Sequence, residues 1–146
     1  MKILLLAILF TSCGVNKNIT YIVDSQRKFE GMGIDKQFVS TVEVFEVHTN
    51  ILVDFPIQFD DLEGDRVGEC RMYGNKPEIA VDKEHWEGYT NNQKEWAVLH
   101  ELLHCGLHKE HNNELRDDWC PVSLMNSYIG SDYCYEKHRA EYLEEL

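Results

Sequence analysis

A chain of 146 residues is long enough for one domain with a modest core and too short for two independent ones. Lys and Arg number 14 against 26 Asp and Glu, a formal net charge of −12, which excludes the concentrated basic surface that binding to nucleic-acid phosphates needs. The acidic balance is expected to form a solvated face that keeps the protein soluble.

Residues 1–12, MKILLLAILFTS, carry one Lys, an apolar run from Ile3 to Phe10 and then small residues. This is the pattern of a signal peptide, and the run is too short to span a bilayer as a mature helix. The ending FTSC resembles the bacterial lipobox, although Phe10 and Ser12 stand where Leu and Ala or Gly are usual. The resemblance implies an exported protein anchored to a membrane of the bacterial cell envelope through lipid on Cys13. Residues 13–30 then read as the lipidated N-terminus and a linker, and residues 31–146 as the folded domain. Setting Cys13 aside leaves Cys70, Cys105, Cys120 and Cys134, an even number in an exported chain, so two disulfides are expected. Three pairings are open to four cysteines. The short span from Cys120 to Cys134 favours that pair, leaving Cys70 with Cys105. No CxxC spacing points to a cysteine zinc site.

In the domain, Phe38, Val42, Phe45 and Thr49 recur every three or four residues, which predicts a helix from Asp35 to about Thr49 with Asp35 as its cap. FPIQFDDL and VGECRMY, joined by EGDR, and KPEIAVD, which follows the turn signal YGN, predict two or three strands of a small sheet. The polar run EGYTNNQ supplies cap candidates for a helix beginning near Asn91 or Asn92 and running through KEWAVLHELLHCGL. Its apolar residues surround the helical wheel, so most of that helix should be buried. A loop from Asn112 to Tyr128 follows, and DYCYEKHRAEYLEEL predicts a last helix after Ser131. The element order makes an α+β domain.

HELLHCGLHKEH, residues 100–111, holds the chemistry. On a helix His100 and His104 lie on one face a turn apart and can converge on one ion. Glu101 projects beside that ion, where it can take a proton from an activated water. Imidazoles suit Zn²⁺, which acidifies a bound water to a pKa of about 7. His108 on a continuing helix would lie about 12 Å along the axis from His100, too far to share the ion. His111 reaches it if the helix ends near Leu107 and the chain turns at His108, a residue type that tolerates the left-handed conformation. His108 is the alternative third ligand if the helix breaks at Gly106. His48, His85 and His138 have no partners at ligand spacing and read as surface or packing residues.

These residues resemble the metzincin branch of the zincin metallopeptidases, whose motif is HExxHxxGxxH followed by a methionine turn. His100, Glu101 and His104 match the first three functional positions. Leu107 stands where glycine is expected and Glu110 where the third histidine is expected, so His111 fits only with one extra residue. Downstream, SLMNSY resembles the methionine turn, with Met125 as the matching residue and Tyr128 one position farther on than in families that use a tyrosine there. More narrowly, HELLHC with SLMNSY and a lipobox is similar to small bacterial metallopeptidase-like lipoproteins. The resemblance covers residues 66–146. It implies a zincin-like domain with a short mixed sheet, a buried HExxH helix, a methionine turn and a C-terminal helix. It also implies a monomeric zinc peptidase in which His100, His104 and His111 hold the metal and Glu101 is the general base for hydrolysis of a peptide or protein substrate.

Two rivals stand beside that expectation. A non-catalytic zinc-binding protein would close the coordination shell with a fourth ligand such as Glu114 or Asp117. A gluzincin-like arrangement would take Glu136 or Glu141 as the third ligand in place of His111.

Overall fold

The computed structural model describes Phe29 and residues 31–146. The signal segment, Cys13 and the rest of the linker fall outside the described residues, whereas Phe29, read as linker, is buried in the core at 1% exposure. Four helices and three strands are found among them, in the order α1 Val39–Thr49, β1 Ile57–Asp60, β2 Gly68–Tyr73, β3 Lys76–Asp82, α2 Lys83–Gly88, α3 Asn91–Leu107 and α4 Asp132–Leu143. The α+β expectation and the small mixed sheet hold. Among the described residues no helix is long and apolar enough to cross a membrane.

The sheet has the order β1-β3-β2, with β1 parallel and β2 antiparallel to β3. β2 and β3 form a hairpin closed by Tyr73 opposite Lys76. Gly74 at its turn has φ +66°, which glycine adopts without steric cost. Pro77, which has no N–H to give, sits in the central strand before β1 begins its pairing at Ile79, so no ladder bond is lost to it. β1 is shorter than the run FPIQFDDL, because Phe55 and Pro56 enter the strand and Asp61 and Leu62 leave it for a turn.

The first helix starts four residues later than expected. The Asp35 carboxylate does accept a backbone N–H, from Gln37 at 2.9 Å, but Asp35 belongs to a turn in which Phe38 N–H donates to its carbonyl. Its own N–H pairs with Ile57 O of β1. The cap chemistry is spent on docking the chain to the sheet. α2 was not anticipated. Asp82 ends β3 and at once caps α2, its carboxylate accepting the N–H of His85 at 2.8 Å and of Leu62 at 3.0 Å. These backbone bonds lead the causes that hold Asp82 down at a pKa of about 2.

α3 is the spine of the domain. Thr90 caps it in a capping box with Gln93. Trp96, Val98, Leu99, Leu102 and Leu103 are fully buried, each stabilising the fold by about 1.5–3 kcal/mol relative to exposure. The helix stops at His108, which takes the left-handed conformation at φ 53°. Its N–H and that of Lys109 fold back onto Leu103 and His104 carbonyls, the pattern that ends a helix and redirects the chain.

Both expected disulfides form. Cys70–Cys105 ties β2 to α3, and Cys120–Cys134 ties the loop before Pro121 to α4. That loop is more ordered than its composition suggests. Arg116 N–H donates to Cys120 O and Val122 N–H to Glu114 O, around an isolated bridge between Leu115 and Pro121.

Candidate metal and catalytic site

α3 presents His100 and His104 one turn apart, and the turn at His108 returns the chain so that His111 joins them. The Nε2 atoms form a triangle: 3.1 Å from His104 to His100, 3.2 Å from His100 to His111 and 3.1 Å from His104 to His111. His108, left exposed at the helix end, takes no part.

The hydrogen atoms decide what this triangle is. His100 Nδ1 donates to Leu124 O at 2.7 Å and His104 Nδ1 to Lys109 O at 2.6 Å. A carbonyl only accepts, so each Nδ1 carries the ring's proton. Burial, the largest cause, pushes the His100 imidazole down to a pKa of about 4 and lowers that of His104. Neutral rings protonated at Nδ1 have bare lone pairs at Nε2. Two bare nitrogens therefore face each other at 3.1 Å with no proton between them. One proton on His111 Nε2 can serve only one of them well. A cation bonded to all three removes the repulsion, and the edges approach the ~3.4 Å that tetrahedral ligands ~2.1 Å from one ion would show. The three imidazoles could hold a metal ion, and the carbonyl partners behind two of them are the outer support that such ligands use.

Among the described residues no carboxylate joins this group. Glu136 accepts instead from Asn92 at 3.2 Å, and Glu141 pairs with Arg116 at 2.8 Å. Glu114 and Asp117 stay outside the cluster.

The histidines open on a groove of about 620 Å³. One wall is Asp65 to Cys70, including the first half of β2, and the other is Asn126 to Ile129. Glu101 lies in it, 7% exposed, its carboxylate accepting the backbone N–H of Cys70. Burial raises its pKa to about 7, and the charge of Glu69 adds to the rise against the lowering by that N–H. Gly68 makes room for it: a Cβ there would stand 2.7 Å from Glu101 Cγ and 2.8 Å from Oε1. Neither Gly68 nor the Cys70 N–H was anticipated, because their roles depend on a strand crossing over a helix residue more than 30 positions farther along the chain.

Met125 is buried, 2% exposed, and its carbonyl accepts the N–H of Asn112, the residue after His111. Ser127 N–H donates to Asn113 Oδ1 at 2.8 Å. The segment SLMNSY thus supports the arm that carries His111. Tyr128 is 81% exposed on the groove wall.

His138, expected as a surface or packing residue with no partner at ligand spacing, lies between two carboxylates. Its Nε2 meets Asp118 Oδ2 at 2.9 Å and its Nδ1 Glu141 at 3.3 Å, and Asp118, Cys120 and His138 make a second group close enough to hold a cation. His85 also has a partner, Asp82, at 2.8 Å.

No family model, no curated protein and no solved structure matches the chain.

Proposed function

We propose that the protein is an exported zinc-dependent peptidase with a zincin-like domain, in which His100, His104 and His111 hold the ion and Glu101 is the general base. The observation that carries this reading is the pair of bare imidazole nitrogens 3.1 Å apart, joined by a third, at the floor of an open groove. Zn²⁺ bound there supplies Lewis-acid activation of water and polarisation of a carbonyl. His100 and His104, whose pKa values burial lowers, are already oriented with His111 toward one point, so little has to reorganise when the ion binds.

Glu101 does the proton work. With its pKa near 7 it can take a proton from the attacking water and return it to the leaving amine at neutral pH. The Cys70 N–H fixes the direction in which the carboxylate points. The outer edge of β2 borders the groove and, among the described residues, has no strand beside it, so an extended peptide can pair there through its backbone and lie across the site. Two disulfides fit export to an oxidising compartment, and lipid attachment at Cys13 is proposed from the lipobox resemblance. A single domain working as a monomer completes the proposal.

The test is zinc analysis combined with digestion of a peptide library by the wild type and by Glu101→Gln. The substitution should leave the zinc content unchanged and lower hydrolysis by about 10²–10⁴-fold. Full activity in the variant, or absence of zinc in the wild type, refutes the proposal.

A further inference from the structure

The two carbonyls that orient the metal-site histidines belong to different loops, and one residue outside the site joins those loops. Leu124 O receives the proton of His100 Nδ1, and Lys109 O that of His104 Nδ1. In the turn after α4, the Glu145 carboxylate accepts Ser123 Oγ–H at 2.5 Å and Leu124 N–H at 3.0 Å. Its backbone carbonyl accepts from Lys109 Nζ. Glu145 thus grips the peptide of Leu124 on one side and the side chain of Lys109 on the other.

We infer that Glu145 is a positioning residue for the metal site, setting the geometry of His100 and His104 together through the loops at Leu124 and Lys109. This rests on the zinc reading above. The physical case is one of lost freedom. The loop at Leu124 lies between two helices, and its carbonyl bonds both His100 Nδ1 and, at 3.0 Å, Trp96 Nε1. Its N–H, on the opposite side of the backbone, is held by a carboxylate, which binds an N–H more strongly than a neutral acceptor would. Removing that carboxylate frees the loop to rotate and leaves the Leu124 N–H without its acceptor. The imidazole of His100 then loses the fixed acceptor that defines its tautomer and its aim. Lys109 is the weaker arm, because its own carbonyl faces His104 while only its flexible side chain reaches Glu145.

The experiment measures Zn²⁺ affinity of the full, disulfide-bonded chain by competition with a chromophoric chelator. It compares wild type with Glu145→Ala, Glu145→Gln, Lys109→Met and, as a surface control, Glu144→Ala. Melting temperatures and the visible spectra of the Co²⁺ forms are recorded alongside. Glu145→Ala should weaken Zn²⁺ binding about tenfold or more and alter the Co²⁺ bands, with a smaller loss for Lys109→Met and none for Glu144→Ala. Glu145→Gln keeps the shape of the side chain and one acceptor oxygen, so it should fold and fall between Ala and wild type. It carries the test if the Ala variant does not fold. Lower melting temperatures with Zn²⁺ affinity and Co²⁺ bands unchanged would make Glu145 a merely structural residue and overturn the inference. A wild type that binds no Zn²⁺ overturns the zinc reading and this inference with it.

Discussion

Among the described residues two clusters could hold a metal ion, and they differ in what their hydrogen atoms do. At His100, His104 and His111 three Nε2 atoms converge, and in two of the rings the proton sits on Nδ1 at the far side, donated in a hydrogen bond to a carbonyl. At Asp118, Cys120 and His138 the ligand atoms also lie within 4.8 Å of one another, yet each is already engaged. Cys120 is in a disulfide with Cys134, Asp118 takes Lys137 at 2.7 Å and His138 at 2.9 Å, and His138 also meets Glu141. The second cluster is a satisfied ion-pair network. Proximity of ligand atoms alone therefore does not single out a candidate metal site; lone pairs facing one another without protons distinguish the first cluster from the second.

Substitution of one histidine in each cluster breaks or confirms that distinction most directly. His111→Ala should lower zinc affinity by more than the roughly hundredfold that loss of an outer partner can cost, whereas His138→Ala should leave zinc stoichiometry and affinity unchanged. Elemental analysis and chelator competition read both. Next in size is the stabilisation by metal. Free Zn²⁺ at a hundred times its dissociation constant should raise the unfolding free energy by about 2.7 kcal/mol. That increment, measured by denaturant unfolding with and without chelator, should persist in His138→Ala and vanish in His111→Ala.

A smaller effect tests the proposed role of Glu101 beside the first cluster. Gly68→Ala puts a methyl group against the Glu101 carboxyl, at a cost of about 1–3 kcal/mol in stability. Turnover should fall while zinc content stays at the wild-type level, since the histidines are not touched. Unchanged turnover would show that the carboxyl has room to spare. The smallest effect belongs to the second cluster. Lys137, then His138, hold the Asp118 carboxyl below its ordinary pKa of 3.8. A depressed carboxylate contributes stability above its unfolded pKa and loses it as the pH falls through the folded one. Asp118→Asn should therefore be slightly less stable than wild type at pH 7, and the gap should close as the pH drops below 3.8. Urea midpoints across that range would show it. A gap independent of pH would mean that the charge of Asp118 contributes nothing.

What was legible in the sequence is what local chemistry decides. α3, its cap near Asn91, its end at His108 and the delivery of His111 all follow from spacing and helix-end rules, and β3 matches the run KPEIAVD. The rest is long-range. Asp35 has the form of a helix cap but closes a turn against β1. Asp82 serves strand and helix at once, and a strict division of the chain into elements hides α2. That β1 lies beside β3, with β2 at the opposite edge, could not be read from sequence neighbours joined by a turn. The partners of His138 come from residues about 20 positions earlier and on the next helical turn. Glu145 shows the same limit, since in the sequence it is one acidic residue in a run of charges.

The open edge of β2 has a consequence for the molecule as a colloid. An unpaired strand next to a groove is also a template for another copy of the same chain, and Met72 and Tyr73 near its end are 51% and 62% exposed. A net charge of −12 makes every such encounter repulsive. Acid, which neutralises carboxylates, and concentrated salt, which shortens the reach of charge, both weaken that protection. The acidic surface is thus what lets this edge stay free in a crowded solution.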